Sequence, residues 1–264
     1  MTSSPLGSLA PFGGYRFERI ENVIVLAAVS STNEVGRDLA GRMLAEQNDL
    51  LPTAIVGRKQ VAGRGRSGRR WESPEGSLSV SLLLPWPEGP ERIRLPLAIA
   101  IPLVARLGEA FRVRLKLKWP NDLVFEGKKV GGILIETRQG ESGEGGAVVG
   151  IGLNASTLAA DLARLGLTSA SSLLLAGAPP ATLAGEAPLL ALLEALDGAL
   201  GEPPSDVTAA FASVSAHVPG EPIAVHDGAK RLEGSYAGVT ADGFLRVTTA
   251  AGEEVVLSGE VESF

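Results

Sequence analysis

Cysteine is absent from all 264 residues. That excludes thiol catalysis, a cysteine-based metal site and a disulfide framework. Long apolar runs are missing as well: none reaches the roughly 18 uninterrupted residues a membrane helix needs. The opening MTSSPLGSLAPFGG has no basic region followed by an apolar core, so it lacks the make-up of a secretory signal. It reads as a flexible lead over residues 1–20, and a cytoplasmic location is the default expectation. No internal repeat is found. What is present is ordinary for a folded chain, with 45% hydrophobic and 20% charged residues. The length suits one large domain, or one of about 200 residues with a small partner.

One further absence is local. Residues 58–70 contain no acid but hold six cations, Arg58, Lys59, Arg64, Arg66, Arg69 and Arg70. The remainder carries 18 basic side chains against 30 acidic ones. Positive charge is therefore concentrated on one loop of an acidic protein. A broad nucleic-acid footprint needs a basic face, so the pattern favours a pocket for a small anion. Within the loop, Gly63, Gly65 and Gly68 let the main chain approach a ligand closely. The arginines supply fixed charge and forked donors suited to phosphate or carboxylate.

Around that loop the chain alternates between strand and helix signals. Residues 23–29 and 53–57 are apolar runs of strand length. Between them, Ser31 and Glu34 fit a capping box opening a helix to about Glu46, with Val35, Leu39, Met43 and Leu44 inward. Residues 77–82 alternate at period two. Residues 91–111 suit a buried helix with a break or kink at Pro96 or Pro102. Residues 113–119 alternate again, with Val113, Leu115, Leu117 and Trp119 on one face. After Pro120 and the turn residues Asn121 and Asp122, residues 123–125 and 130–137 read as a hairpin about Glu126-Gly127-Lys128. A turn is expected over 143–146, then a strand over 147–153 whose glycines mark close approach by a ligand or another backbone. Helices are expected over 183–200 and 205–216. Beyond Pro219, five short strands in about 48 residues suggest a small closed β-barrel.

Gly63-x-Gly65-x-x-Gly68 is formally the dinucleotide fingerprint, but no helix can open in the Arg69–Gly76 segment that follows. The same glycines mimic a phosphate loop, except that Arg69-Arg70 stands where Lys-Ser/Thr is required. An RGG-like nucleic-acid segment fits poorly between two strands. Lys118-Trp119-Pro120-Asn121-Asp122 alone is a strand end with a turn, and Lys129 to Glu136 alone is a core strand.

Taken together and in order, STN at 31–33, GRGRSGRRW at 63–71, KWPND at 118–122 and KKVGGILIE at 128–136 resemble the signature of the biotin protein ligases. The resemblance runs from about residue 21 to the C-terminus. It implies an α+β fold: a mixed β-sheet with packing helices, class II synthetase-like, over 21–216, and a small SH3-like β-barrel over 217–264. Many members begin with a DNA-binding winged helix; the short lead expected here points to the ligase-only class. The implied activity is adenylation of biotin by ATP with Mg²⁺, then transfer of biotin to a lysine of a biotin carboxyl carrier protein or domain. No enzyme nucleophile is required, which suits a chain with two histidines, both late in the sequence. The resemblance further implies no DNA or membrane partner and a monomer or homodimer.

Carried over by motif, Ser31, Thr32, Asn33 and Gln60 would bond the biotin head group. Gly63, Arg64, Gly65 and Arg66 would wrap the carboxylate and phosphate, with Arg69 on phosphate. Trp71 would line the biotin tail, and Gly132 and Gly152 would admit the ligand. Lys129 would touch the carboxylate, with Arg64, Lys129 and Asp122 catalytic. Asn121 and Asn154 would face the adenylate, and Asp122 would orient the amine or hold the metal. A lipoate-type ligase on the same fold and a non-catalytic biotin- or nucleotide-binding regulator are the alternatives.

Overall fold

The computed structural model describes residues 16–86, 89, 91–140, 144–228 and 230–263. Most of the expected N-terminal lead, and Gly143 of the expected turn, lie outside the described residues. In chain order the elements begin β1 Asn22–Leu26, α1 Thr32–Ala45, β2 Thr53–Gly57, β3 Gly63–Arg64, β4 Arg70–Trp71 and β5 Ser77–Pro85. Then follow α2 Glu91–Phe111, β6 Lys116–Lys118, β7 Asp122–Phe125, β8 Lys128–Gln139 and β9 Gly145–Asn154. After α3 Ala159–Arg164, α4 Ala187–Gly201 and α5 Val207–Val214 come β10 Pro222–Asp227, β11 Lys230–Val239, β12 Leu245–Thr249, β13 Gly252–Val256 and β14 Glu260–Ser263.

Seven strands form one mixed sheet in the order β1-β2-β5-β9-β8-β7-β6, in which only β1 and β2 are parallel. Successive side chains on a strand point to opposite faces, so each strand serves two layers. On one face Ala54, Val56, Val80, Leu82, Val149 and Ile151 join the large core beneath α2, α4 and α5. On the other, Ile55, Leu83 and Val148 pack with Ala40 of α1. Because helices cover both faces, residues 79–84 of β5 are all buried, rather than alternating in and out of water.

Helix α2 runs as one element through Pro96 and Pro102, so of the break or kink expected there, a break is absent. An interior proline costs about 3 kcal/mol. Leu97, Ile99, Ile101, Leu103, Leu107 and Phe111 are buried in the large core, and full burial of each such side chain stabilises by about 1.5–3 kcal/mol. Packing therefore outweighs both prolines. Val113, Leu115, Leu117 and Trp119 are the buried set expected, though only residues 116–118 form a ladder. The helices expected over 183–200 and 205–216 are shorter, and a short 3-10 turn at Pro180–Leu183 precedes α4.

The last five strands pair in the order β13-β12-β11-β10-β14, all antiparallel. No ladder joins β13 to β14 among the described residues, so the expected small barrel is present as a sheet without that closing seam. Trp119 donates its indole N–H to the Gly243 carbonyl at 3.0 Å, tying this unit to the large sheet.

Candidate active site

The site begins with register. Leu26, Gly57, Ser79, Gly152, Gly132 and Asp122 stand side by side across six strands. The next row on the same face is Ile55, Ser81, Gly150 and Leu134. Four neighbours in the first row carry no side chain larger than a hydroxymethyl group. Thr32 and Val29 cover Gly57, and Ser79, Gly152 and Gly132 form the floor of a trough beyond the N-terminus of α1. Nothing larger fits: a β-carbon on Gly150 would strike the Asn33 amide, and one on Gly152 would strike the Trp71 ring.

One end of the trough is polar. Residues 59–62 run alongside 29–30, with Val29 N–H donating to the Lys59 carbonyl at 2.9 Å and Ala62 N–H to the Ser30 carbonyl at 2.8 Å. This brings Gln60 over the start of α1, where its Oε1 accepts from the Thr32 backbone N–H at 2.9 Å. Gln60 thus caps a donor that every helix N-terminus leaves orphaned. The capping box expected from Ser31 and Glu34 does not form, because Glu34 accepts from Ser30 instead. Ser31 sits buried with its hydroxyl unbonded among the described residues, facing the cavity. Asn33 also lines the trough, but its amide is committed to protein. Its Nδ2 donates to Glu136 Oε2 at 2.8 Å and to the Leu134 carbonyl at 3.2 Å, and its Oδ1 accepts from Ser81 at 2.6 Å. These bonds fix the orientation of the Asn33 amide in the wall of the trough.

The other wall is the Gly/Arg loop, folded as a hairpin. Strands β3 and β4 pair Gly63 with Trp71 and Arg64 with Arg70. The tip closes through Gly65 N–H to the Arg69 carbonyl at 2.8 Å. Ser67 and Gly68 both take left-handed φ values, 54° and 73°, the conformation that a tight tip requires and that glycine adopts freely. Trp71 closes over Gly152, and its indole Nε1 is buried without a partner. Arg64 leans toward Glu136, at 3.7 Å. Arg66 donates to Asn121 Oδ1 at 3.4 Å and to the Gly259 carbonyl at 3.1 Å. Burial pulls the Arg66 guanidinium below its ordinary value, opposed by the nearby Glu260 and Asp122. Arg69 pairs with Glu260.

At the far end of the floor, Lys129 Nζ lies 2.6 Å from Asp122 Oδ1 and 5.7 Å from the Trp71 ring centre. Backbone bonds from Lys129 N–H to the Ser169 carbonyl and from Ser171 N–H to the Lys129 carbonyl, at 2.9 and 2.7 Å, lay residues 169–171 against it. Asn154 locks that segment by donating to the Ser171 carbonyl at 3.0 Å. Asn121 is likewise occupied, donating to the Ile133 carbonyl at 2.6 Å.

The cavity is partly open and measures about 200 Å³. Of the residues expected from sequence, Ser31, Thr32, Asn33, Gln60, Arg64, Gly65, Arg66, Arg69, Trp71, Asn121, Lys129, Gly132, Gly152 and Asn154 line it. Gly63 and Asp122 do not. Gly63 packs against Gln60 and Trp71, and Asp122 stands behind Lys129. Sequence reasoning missed Ser79, Ser81, Gly150, Glu136 and the Leu167–Ala170 wall. The period-two placement of Ser79 and Ser81, matched by that of Gly150 and Gly152, was the available signal. Among the described residues no three His, Asp or Glu side chains gather to hold a metal. A divalent ion would thus enter with the nucleotide, since Mg²⁺ is held by phosphates and one or two carboxylates.

The trough is polar at one end and overhung by arginines at the other, the make-up of a small-molecule site for an anionic ligand. Comparison with known proteins gives that class a family. The biotin/lipoate A/B protein ligase family matches residues 25–154, and the biotin protein ligase C-terminal domain matches residues 219–262. The biotin–[acetyl-CoA-carboxylase] ligase of Paracoccus denitrificans is 30% identical over 255 residues, spanning 90% of this chain and 98% of that protein. The bifunctional ligase/repressor BirA of Escherichia coli is 35% identical over 136 residues, half of this chain and 40% of that protein. The biotin protein ligase of Aquifex aeolicus, solved with biotin and ATP, superposes with a TM-score of 0.67 at 27% identity, covering 92% of this chain and 98% of that one. The chain belongs to the biotin protein ligase family.

Proposed function

We propose that the protein joins biotin to a lysine of a biotin carboxyl carrier domain in two steps on this one site, in the cytoplasm. In the first, a carboxylate oxygen of biotin attacks the α-phosphorus of MgATP; the bond to the β-phosphate oxygen breaks and pyrophosphate leaves. In the second, the lysine amine attacks the acyl carbon of biotinyl-5′-AMP; AMP leaves and the amine loses its proton. The first step presses two anions together, so the site must supply positive charge where charge develops. Arg64, Arg66, Arg69 and Lys129 surround that end of the trough. Lys129 gives up Asp122 to meet the carboxylate, which leaves Asp122 beside the reacting centre to orient the amine or to help hold the Mg²⁺ of MgATP.

The observation that carries this reading is the small-residue floor Ser79, Gly152 and Gly132, which lines the cavity with Lys129, Trp71 and Arg64. It matches a flat bicyclic head with an alkyl tail and a terminal carboxylate. A dithiolane ring has no hydrogen-bonding groups, so lipoate would leave Ser31 and the Gln60 amide unpaired, which costs about 1–3 kcal/mol per buried group. Biotin's ureido group satisfies them. The catalytic unit is residues 21–216, with 217–264 as the accessory sheet, in a monomer or homodimer. Purified protein with Mg²⁺ is expected to catalyse biotin-dependent exchange between ATP and pyrophosphate, with lipoate far poorer. No exchange with either acid overturns the reading; equal exchange with both overturns the choice of biotin.

A further inference from the structure

We infer that Glu136 is a positioning residue that couples the polar end of the trough to the arginine hairpin, so that a correctly set head-group wall and a correctly set Arg64 occur together. The inference rests on the proposed biotin-adenylating function and adds a residue to it.

Glu136 lies on β8, two residues beyond Leu134 on the trough face, registered opposite Val148. Two donors and a further cation converge on it. Arg37 of α1 donates to Oε1 at 3.0 Å. Asn33 donates to Oε2 at 2.8 Å, and Arg64 of the hairpin stands 3.7 Å from the same oxygen. Its side chain is only 20% exposed, so the charge is partly desolvated and its partners matter more than at an open surface. From Asn33 the chain continues through Ser81, 2.6 Å from Asn33 Oδ1 and 2.7 Å from Thr32 Oγ1, to Gln60 at 3.3 Å from Thr32 Oγ1. One continuous polar path therefore runs from Gln60 to Arg64, and Glu136 is the only carboxylate on it.

The chemistry of the three partners fixes what Glu136 must be. Arg37 and Asn33 donate to different oxygens and Arg64 pairs with the charge, so both oxygens must accept and the group must be anionic. A glutamine offers one acceptor and turns a second donor toward Asn33 or Arg37. The Asn33 amide then loses the partner that sets its orientation, and Arg64 loses the counter-charge that holds it over the trough rather than out in water.

Glu136→Gln tests this in the full-length protein. The expected result is a thermal midpoint close to wild type, a rise of about tenfold in the biotin KM of pyrophosphate exchange, and a smaller change in kcat. Trypsin should also cut the ligand-free hairpin several times faster, a readout that needs no activity. In an Arg64→Ala background Glu136→Gln should raise the biotin KM less than it does alone, since the Arg64 linkage is already gone. A wild-type biotin KM with a wild-type cleavage rate overturns the inference, as does full additivity with Arg64→Ala. If Glu136→Gln melts well below wild type, Arg37→Ala replaces it. That variant removes only the Oε1 donor and must still speed cleavage of the hairpin; an unchanged rate overturns the inference. Failure of wild-type protein to exchange pyrophosphate would instead sink the functional reading.

Discussion

At the scale of single residues, the site works by leaving a few groups uncommitted among many that are tied down. Thr32, Asn33, Gln60, Asn121 and Asn154 each have at least one polar atom bonded to protein. Ser31 is different: its hydroxyl caps nothing. Ser31→Ala should therefore leave the unfolding free energy within about 0.5 kcal/mol of wild type, where loss of a true N-cap would cost about 1 kcal/mol. Biotin affinity should fall by about 0.5–1.5 kcal/mol, the net worth of one hydrogen bond. Denaturant titration and calorimetric titration with biotin separate the two, and a stability loss without an affinity loss would restore the capping role. Gly152→Ala probes the floor. The new methyl group meets the Trp71 ring, so the roof must shift, at a cost of about 1–3 kcal/mol in stability. Biotin binding should weaken at least tenfold; unchanged affinity would mean that the ligand does not lie on this floor.

At the scale of elements, the features legible in the sequence were those governed by local pattern. Strand β2 follows from a short apolar run, and the hairpin of β7 and β8 and the inward set from Val113 to Trp119 follow from turn chemistry and alternation. The site motifs were legible because the Gly/Arg loop and three short segments, each of those three bland alone, keep a fixed order. What local pattern could not supply is which strands become neighbours. The trough exists because β5 and β9 pair with Ser79 opposite Gly152, a contact between residues 73 apart in the chain. Pairing on that scale also hid Glu136, whose three partners come from two other elements. Asp197 is a similar case. On α4 it accepts from the backbone N–H groups of Glu18, Arg19 and Ile20 at 3.0, 2.8 and 2.7 Å, stapling the start of the chain to the helix layer. Burial alone would raise its carboxyl, but those three donors outweigh it and hold it below the ordinary value. A depressed folded value means the stabilisation is present above the unfolded value, near 3.9, and is lost as pH falls through the folded one. Asp197→Asn should cost about 1.5–3 kcal/mol at pH 7, the worth of bonds to a charged acceptor. The gap from wild type should close as the pH drops below about 4. Urea titrations at several pH values check this, and a gap that persists at low pH would argue against the charge.

At the scale of the whole molecule, the hairpin is a bridge. Its base is woven into the start of α1, its far strand roofs Gly152, and its tip reaches the C-terminal sheet through Arg66 to Gly259 and Arg69 to Glu260. A second tie, Arg94 to Asp242 at 3.0 Å, joins α2 to the same sheet. The C-terminal sheet thus holds the tip of a loop whose middle residues are proposed to bind phosphate, while the end that receives the biotin ring is fixed elsewhere. Loosening the tip should separate the two substrates. Glu260→Ala removes a partly exposed ion pair, worth no more than about 1 kcal/mol of stability, so the thermal midpoint should hardly move. The freed tip no longer presents Arg66 and Arg69 together, and the KM for ATP in pyrophosphate exchange should rise several-fold. The biotin KM should stay at the wild-type value, because Ser31, Gln60 and Gly152 are untouched. Salt provides an internal control: raising ionic strength screens the same pair, so wild-type protein should drift toward the variant while the variant changes less. A fall in the ATP KM would reverse the assignment, making Glu260 a competitor that phosphate must displace from Arg69 rather than an anchor for the hairpin.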